Sequence, residues 1–159
     1  MAATLPSNSG EAQFVIELCA PAEYAHDPGF ESSIHLRGRH WDGEHTFPFS
    51  TFLEGLWLRT ADLTALREHV TRWLRQPLEC MVAEDLNADF QLARLPGQSV
   101  RVHFGPRSDT IPDLDPVVSI TFSAGALQGE FHFATDQSCL MLFAQELADE
   151  IVCSDETAS

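Results

Sequence analysis

Residues 84–97 read EDLNADFQLARLPG, and within them Asp85, Asn87 and Asp89 place an oxygen-bearing side chain at every second position. Alternating oxygen ligands open a calcium loop, where carboxylates and amides wrap a hard cation. Such a loop needs glycine at its sixth position, for the sharp turn, and a bidentate glutamate at its twelfth. Counted from Asp85, those positions hold Phe90 and Pro96. The pattern fails at both, so the stretch reads as a polar turn between strands, with Phe90 entering the core.

Other chemistries find no better footing. His35, His40 and His45 are spaced by five, His103 and His132 fall on separate strands, and no Cys/His pair has the spacing of a structural zinc site. Alternation with Ile34 and Leu36 turns His35 to solvent, and Phe131 and Phe133 do the same for His132. A serine nucleophile on a Gly-x-Ser-x-Gly elbow is absent from the sequence. Cys139 falls near a helix N-terminus, which lowers a thiol pKa, but Leu140 and Met141 beside it point to packing. Gly125 and Gly129 read as turn glycines, not as a phosphate cradle. The residues therefore predict no catalytic site, no cofactor and no metal.

Charge is the strongest signal. Asp and Glu number 24 against nine basic residues, all of them Arg, for a net −15. After Arg107 the chain carries acids and no Lys or Arg. Phosphate backbones and anionic membranes are repelled by such a surface, whereas a basic protein is attracted and steered. Candidate partner contacts are Asp109, Asp113 and Asp115 in a proline-rich loop, and Glu146, Asp149 and Glu150 at the end of a helix. Acids there oppose the helix dipole, at about 0.3–1 kcal/mol each.

These residues need a scaffold. The chain has 159 residues, 44% of them apolar, enough for one domain with a real core. Residues 1–12 read as a disordered lead-in without a secretory signal, 13–153 as a single domain, and 154–159 as an acidic tail. Cys19, Cys80, Cys139 and Cys153 form no C-x-x-C pair and read as buried free thiols, which points to the cytoplasm. Phe14, Ile16 and Leu18 alternate in a strand over 13–19, and residues 20–30 read as a loop. Two strands flank Asp42-Gly43 as a hairpin, with Pro48 marking an edge or bulge. Leu63, Leu66, Val70, Trp73 and Leu74 define a helix over 60–76 that Thr60 can cap. Strands at 78–83, 89–95, 99–104, 117–123 and 127–133 follow. A second helix, 136–152, is capped by Thr135 or Asp136. The order β-β-β-α-β-β-β-β-β-α predicts an α+β domain: an antiparallel sheet of about seven or eight strands with two helices on one face.

One stretch adds a further expectation. LWLRTADLTALREHVTRWLRQPLECMVAEDLNADFQLARLPGQSVRVHFG resembles the WapI-like group of small bacterial immunity proteins. A strand leads into a helix ending in Trp73-Leu74, then come a strand, an acidic-Asn-Leu-Phe-like segment at Glu84–Phe90, in which Asn87 follows Leu86, and a strand rich in Val and Phe. The likeness covers residues 34–104, and it implies a non-enzymatic protein that binds and neutralises a toxin domain. The sequence thus predicts an acidic immunity protein for a basic toxin. The alternative is a small α+β enzyme or ligand-binding domain with its pocket between sheet and helices.

Overall fold

The computed structural model describes residues 2–41, 43–106 and 115–156, omitting the side chains of His40 and Trp41. Among these residues eight strands form one antiparallel sheet, each hydrogen-bonded to its neighbour in sequence. They are β1 Ala3–Pro6, β2 Gln13–Tyr24, β3 Asp27–Trp41, β4 Thr46–Arg59, β5 Ala88–Ala93, β6 Gln98–Gly105, β7 Val117–Ala124 and β8 Leu127–Ala134. Helix α1, Thr60–Leu74, falls between β4 and β5, and α2, Gln137–Glu156, follows β8. The expected α+β domain is therefore observed, with a modified element order: β-β-β-β-α-β-β-β-β-α.

Strand alternation builds the core. Phe14, Ile16 and Leu18 of β2, Ile34 and Leu36 of β3, and Val100, Val102 and Phe104 of β6 all face inward and are buried. Both helices lie on that face. Leu63, Leu66, Val70 and Trp73 of α1 bury the expected stripe, as do Leu140, Phe143 and Leu147 of α2. The rings of Phe14 and Phe143 meet with centroids 6.1 Å apart. Apolar side chains thus fill the space between sheet and helices.

Three expectations change. Residues 1–12, read as a disordered lead-in, contain β1. Its Ala3 and Leu5 are fully buried, Glu146 accepts the Thr4 N–H at 2.8 Å, and the Thr135 hydroxyl donates to the Pro6 carbonyl at 2.9 Å. Residues 20–30, read as a loop, are the β2–β3 hairpin, turning at Ala25 and His26 with φ of 49° and 69°. Pro21 lies past the end of β1 and Pro28 past the pairing of β4, so each sits where its strand has a free edge. Residues 78–83, read as a strand, instead enter two 3-10 helices, Leu78–Cys80 and Ala83–Leu86. The Trp73 indole donates to the Val82 carbonyl at 2.9 Å, and His69 Nε2 donates to the Leu86 carbonyl at the same distance. These bonds pull the segment down onto α1 and away from the sheet.

The sheet has a weak seam and a projecting arm. β4 and β5 share the single register pair Leu58–Ala93. Across this seam Asp62, 9% exposed, accepts two hydrogen bonds from Arg59 at 3.0 and 3.2 Å and two from Arg94 at 2.7 and 2.8 Å. Asp62 thus joins the end of β4, the first turn of α1 and the residue after β5. The arm is the β3–β4 hairpin beyond Arg37, where β2 no longer pairs. It curls toward β8, and Phe49 stacks on Phe131 at 5.8 Å. Gly38 permits that approach, because a Cβ there would come within 3.0 Å of the Phe131 ring.

α2 starts at a working cap. The Asp136 carboxylate accepts the Ser138 hydroxyl at 2.7 Å and the Cys139 N–H at 2.9 Å. These bonds hold its pKa below the ordinary carboxylate value. A carboxyl with a depressed folded pKa stabilises above its unfolded pKa and loses that stabilisation as pH falls through the folded one. Asp136→Ala should therefore cost about 1 kcal/mol at neutral pH, the deficit shrinking from about pH 4 downward. Urea melts of both chains across that range measure it, and a deficit constant with pH would contradict the cap.

Candidate functional site

The acids singled out from sequence have different surroundings. Asp109 and Asp113 lie outside the described residues. Asp115 is half-buried, and one of its oxygens lies 3.4 Å from the Asn8 amide nitrogen. Glu146 holds the Thr4 N–H and so serves the edge of the sheet. Asp149 is exposed on α2, whereas Glu150 is only 4% exposed and faces inward. Of the three candidate acids on α2, Asp149 alone stands fully on the surface. The helix period explains this: residues 143, 147 and 150 share the core face.

A more concentrated acidic feature lies on the outer side of β2–β4. Glu17, Glu31 and Glu54 line a shallow depression of about 570 Å³ with Cys19, Ser33 and Phe52. The register pairs Glu17 with Ser33, and the bulge between Leu18 and Ala20 brings Cys19 to the same rim. Phe52 is 49% exposed and contacts the His35 ring edge-on at 5.4 Å. Burial, and then the charges of Glu17 and Glu31, raise the Cys19 thiol pKa, so it remains a thiol. Three carboxylates beside an exposed aromatic ring suit a guanidinium or ammonium group. Sequence reasoning missed this set because its members come from three strands, and only register brings them together.

The outer face of β5–β8 carries a second array. Register aligns Asp89, His103, Ser119 and His132 in one row across four strands. His103 Nδ1 lies 3.1 Å from Asp89 Oδ1, His132 Nδ1 lies 2.8 Å from Ser119 Oγ, and His132 Nε2 lies 3.2 Å from Glu130 Oε1. With Nε2–H donated to Glu130, Nδ1 accepts the Ser119 hydroxyl, which is the acid–imidazole–hydroxyl order of an activated serine. The His132 and Glu130 side chains are 52% and 59% exposed, so water competes for every bond in the row. Both His132 and His103 face outward, as alternation predicted for His132.

The thiols depart from expectation. Cys19, Cys80 and Cys153 are exposed rather than buried, Cys139 is half-buried, and all are free. Cys80 reaches the surface because its segment is a 3-10 turn and not a strand. Burial and the neighbouring Asp136 raise the Cys139 pKa, opposite to a bare helix N-terminus. Burial and the charge of Arg37 lower the His35 pKa. Among the described residues no three His, Cys, Asp or Glu side chains gather so as to hold a metal ion, and no helix is long and apolar enough to cross a membrane. Comparison with known proteins gives no matching family model and no similar curated sequence.

Proposed function

We propose that this chain is an acidic, cytoplasmic, non-enzymatic binding protein, an immunity protein that neutralises a basic toxin domain. The observation that carries the reading is the depression ringed by Glu17, Glu31 and Glu54 around exposed Phe52. It offers a cation both carboxylates and a ring face. The net charge of −15 supplies the long-range attraction that speeds encounter with a basic partner. The likeness of residues 34–104 to the WapI-like group supports the toxin as that partner. The carboxylates would steer the toxin in and cover its cationic surface, leaving it no room for substrate.

The experiment is co-expression with the toxin-like product of an adjacent gene. Cells should survive with the native chain and lose protection with Glu17, Glu31 and Glu54 all changed to Gln. Failure of the native chain to protect or to form a complex would overturn the reading. The Ser119–His132–Glu130 order favours a second reading, a small hydrolase of activated esters. Turnover of p-nitrophenyl acetate that vanishes in Ser119→Ala would select it.

A further inference from the structure

One side of β4 is open. β3 pairs with this strand from Thr46 to Arg59, whereas β5 meets it only at Leu58. Among the described residues no strand flanks residues 46–57 on that second side. An unpaired edge presents N–H and C=O groups to any extended chain that reaches it. Residues 46–50, Phe52 and Glu54 are exposed, so nothing shields the edge from solvent there.

Pro48 tells which groups face the open side. Proline has no N–H, so Pro48 stands opposite Arg39 without loss of a ladder bond only where its nitrogen points away from β3. Backbone direction alternates along a strand, so Ser50 and Phe52 turn their N–H and C=O groups to that same open side. Between Leu53 and Leu56 the register with β3 shifts by one residue, which reverses the alternation. The Gly55 carbonyl and the Trp57 N–H then face outward, and the Gln98 side chain takes both. Its Nε2 donates to the Gly55 carbonyl at 2.6 Å, and its Oε1 accepts the Trp57 N–H at 3.3 Å. One side-chain amide thus bonds β4 on both sides of Leu56, as a residue of a neighbouring parallel strand would. The edge already holds an amide at its sheltered end, and Ser50 and Phe52 continue it into solvent.

Charge selects what would lie along the rest. Phe52 and Glu54 sit on the outer face of β4, with Glu31 one strand away and Glu17 two. Phe47, 49% exposed, is of opposite parity to Phe52 and faces the other way. A strand laid on this edge would set alternate side chains beside three carboxylates and the remainder beside an apolar ring. That pattern fits a segment in which Arg or Lys alternates with apolar residues. A second copy of this chain fits poorly, because its own edge would bring Glu54 and a net charge of −15 against the same.

We propose that the open edge of β4 at Ser50 and Phe52 takes up an extended segment of a basic protein as an added strand, its cationic side chains lying toward Glu54 and Glu31. Main-chain bonds supply the affinity and the alternate side chains the selectivity. The inference rests on the basic partner proposed above and names how that partner docks.

The test is fluorescence anisotropy of a labelled decapeptide of alternating arginine and valine, titrated with the full chain. Binding should be saturable, and a decapeptide of alternating glutamate and valine should not bind. Methylating the amide nitrogens of the arginines alone, or of the valines alone, should abolish binding in one case and spare it in the other, because a strand pairs through one edge. Ser50→Pro, of the same parity as Pro48, should weaken binding at least about tenfold with the fold intact by circular dichroism. Glu54→Gln should weaken it about threefold. Absence of saturable binding, equal effects of the two methylation sets, or a chain that dimerises by itself through this edge and turns monomeric in Ser50→Pro would overturn the proposal. The peptide test needs no toxin, so the two readings separate. Peptide binding by a chain that fails to protect cells would keep the edge and remove the toxin. Full protection by Ser50→Pro would keep the toxin and remove the edge.

Discussion

Asp62→Ala should lower the stability of the fold by about 3 kcal/mol, measured as a drop in the urea midpoint without change in slope. The mutation removes one small side chain and strands two cations. Arg59 and Arg94 each give Asp62 two hydrogen bonds, and bonds to a charged acceptor are worth about 1.5–3 kcal/mol each before solvent screening. Both guanidiniums are partly exposed, at 30% and 43%, so water recovers part of the loss and the low end of the range applies. Arg59 retains a longer contact to Asp27 at 3.8 Å, whereas no ion pair beyond Asp62 remains for Arg94 among the described residues. Asp62→Asn should cost less, because one oxygen still accepts. A loss under about 1 kcal/mol for Asp62→Ala would show that the single Leu58–Ala93 pairing, not the carboxylate, holds the seam.

Trp73→Ala should cost more, about 4 kcal/mol, because it empties the largest fully buried side chain of the protein. The effect has two parts that Trp73→Phe separates. Phenylalanine keeps most of the apolar volume but removes the N–H that serves the Val82 carbonyl, which should cost about 1–2 kcal/mol. In Trp73→Ala the segment 78–86 also loses its floor, so Met81 and Leu86, 4% and 0% exposed, should become accessible to hydrogen exchange and proteolysis. Equal costs for the two variants would mean that the hydrogen bond, rather than packing, carries the residue's contribution.

That same tryptophan explains one limit of sequence reasoning. LECMVA has the apolar content of a short buried strand, and it follows a helix that Pro77 stops, so the pattern favours extension. Its carbonyls instead answer donors on α1, from Trp73 and His69, and no periodicity reports such a bond. The β2–β3 hairpin was hidden for another reason. Its turn residues are Ala25 and His26, both at positive φ without the Asn-Gly or Asp-Gly signature that betrayed the next hairpin. β1 is too short to declare a period. By contrast α1, α2, the first half of β2 and the β3–β4 hairpin were legible, because each carries a long apolar stripe or a marked turn. The candidate sites were less so. Net charge was visible in composition, but the depression around Phe52 and the Ser119 row are products of register, which fixes cross-strand neighbours that no local pattern encodes.

β1 gives the architecture a direction in time. Every strand of the sheet pairs with its neighbour in sequence, so the meander can zip up locally as the chain emerges during synthesis. β1 is different, because a four-residue strand on a hairpin is marginal alone, and its closing bonds reach residues 142 and 129 positions away. Ala3 and Leu5 therefore have their full burial only once α2 is packed against β1. The segment that looks from its sequence like a lead-in should be the latch that shuts last, so in pulsed hydrogen exchange the Thr4 amide should gain protection after the amides of β6 and β7.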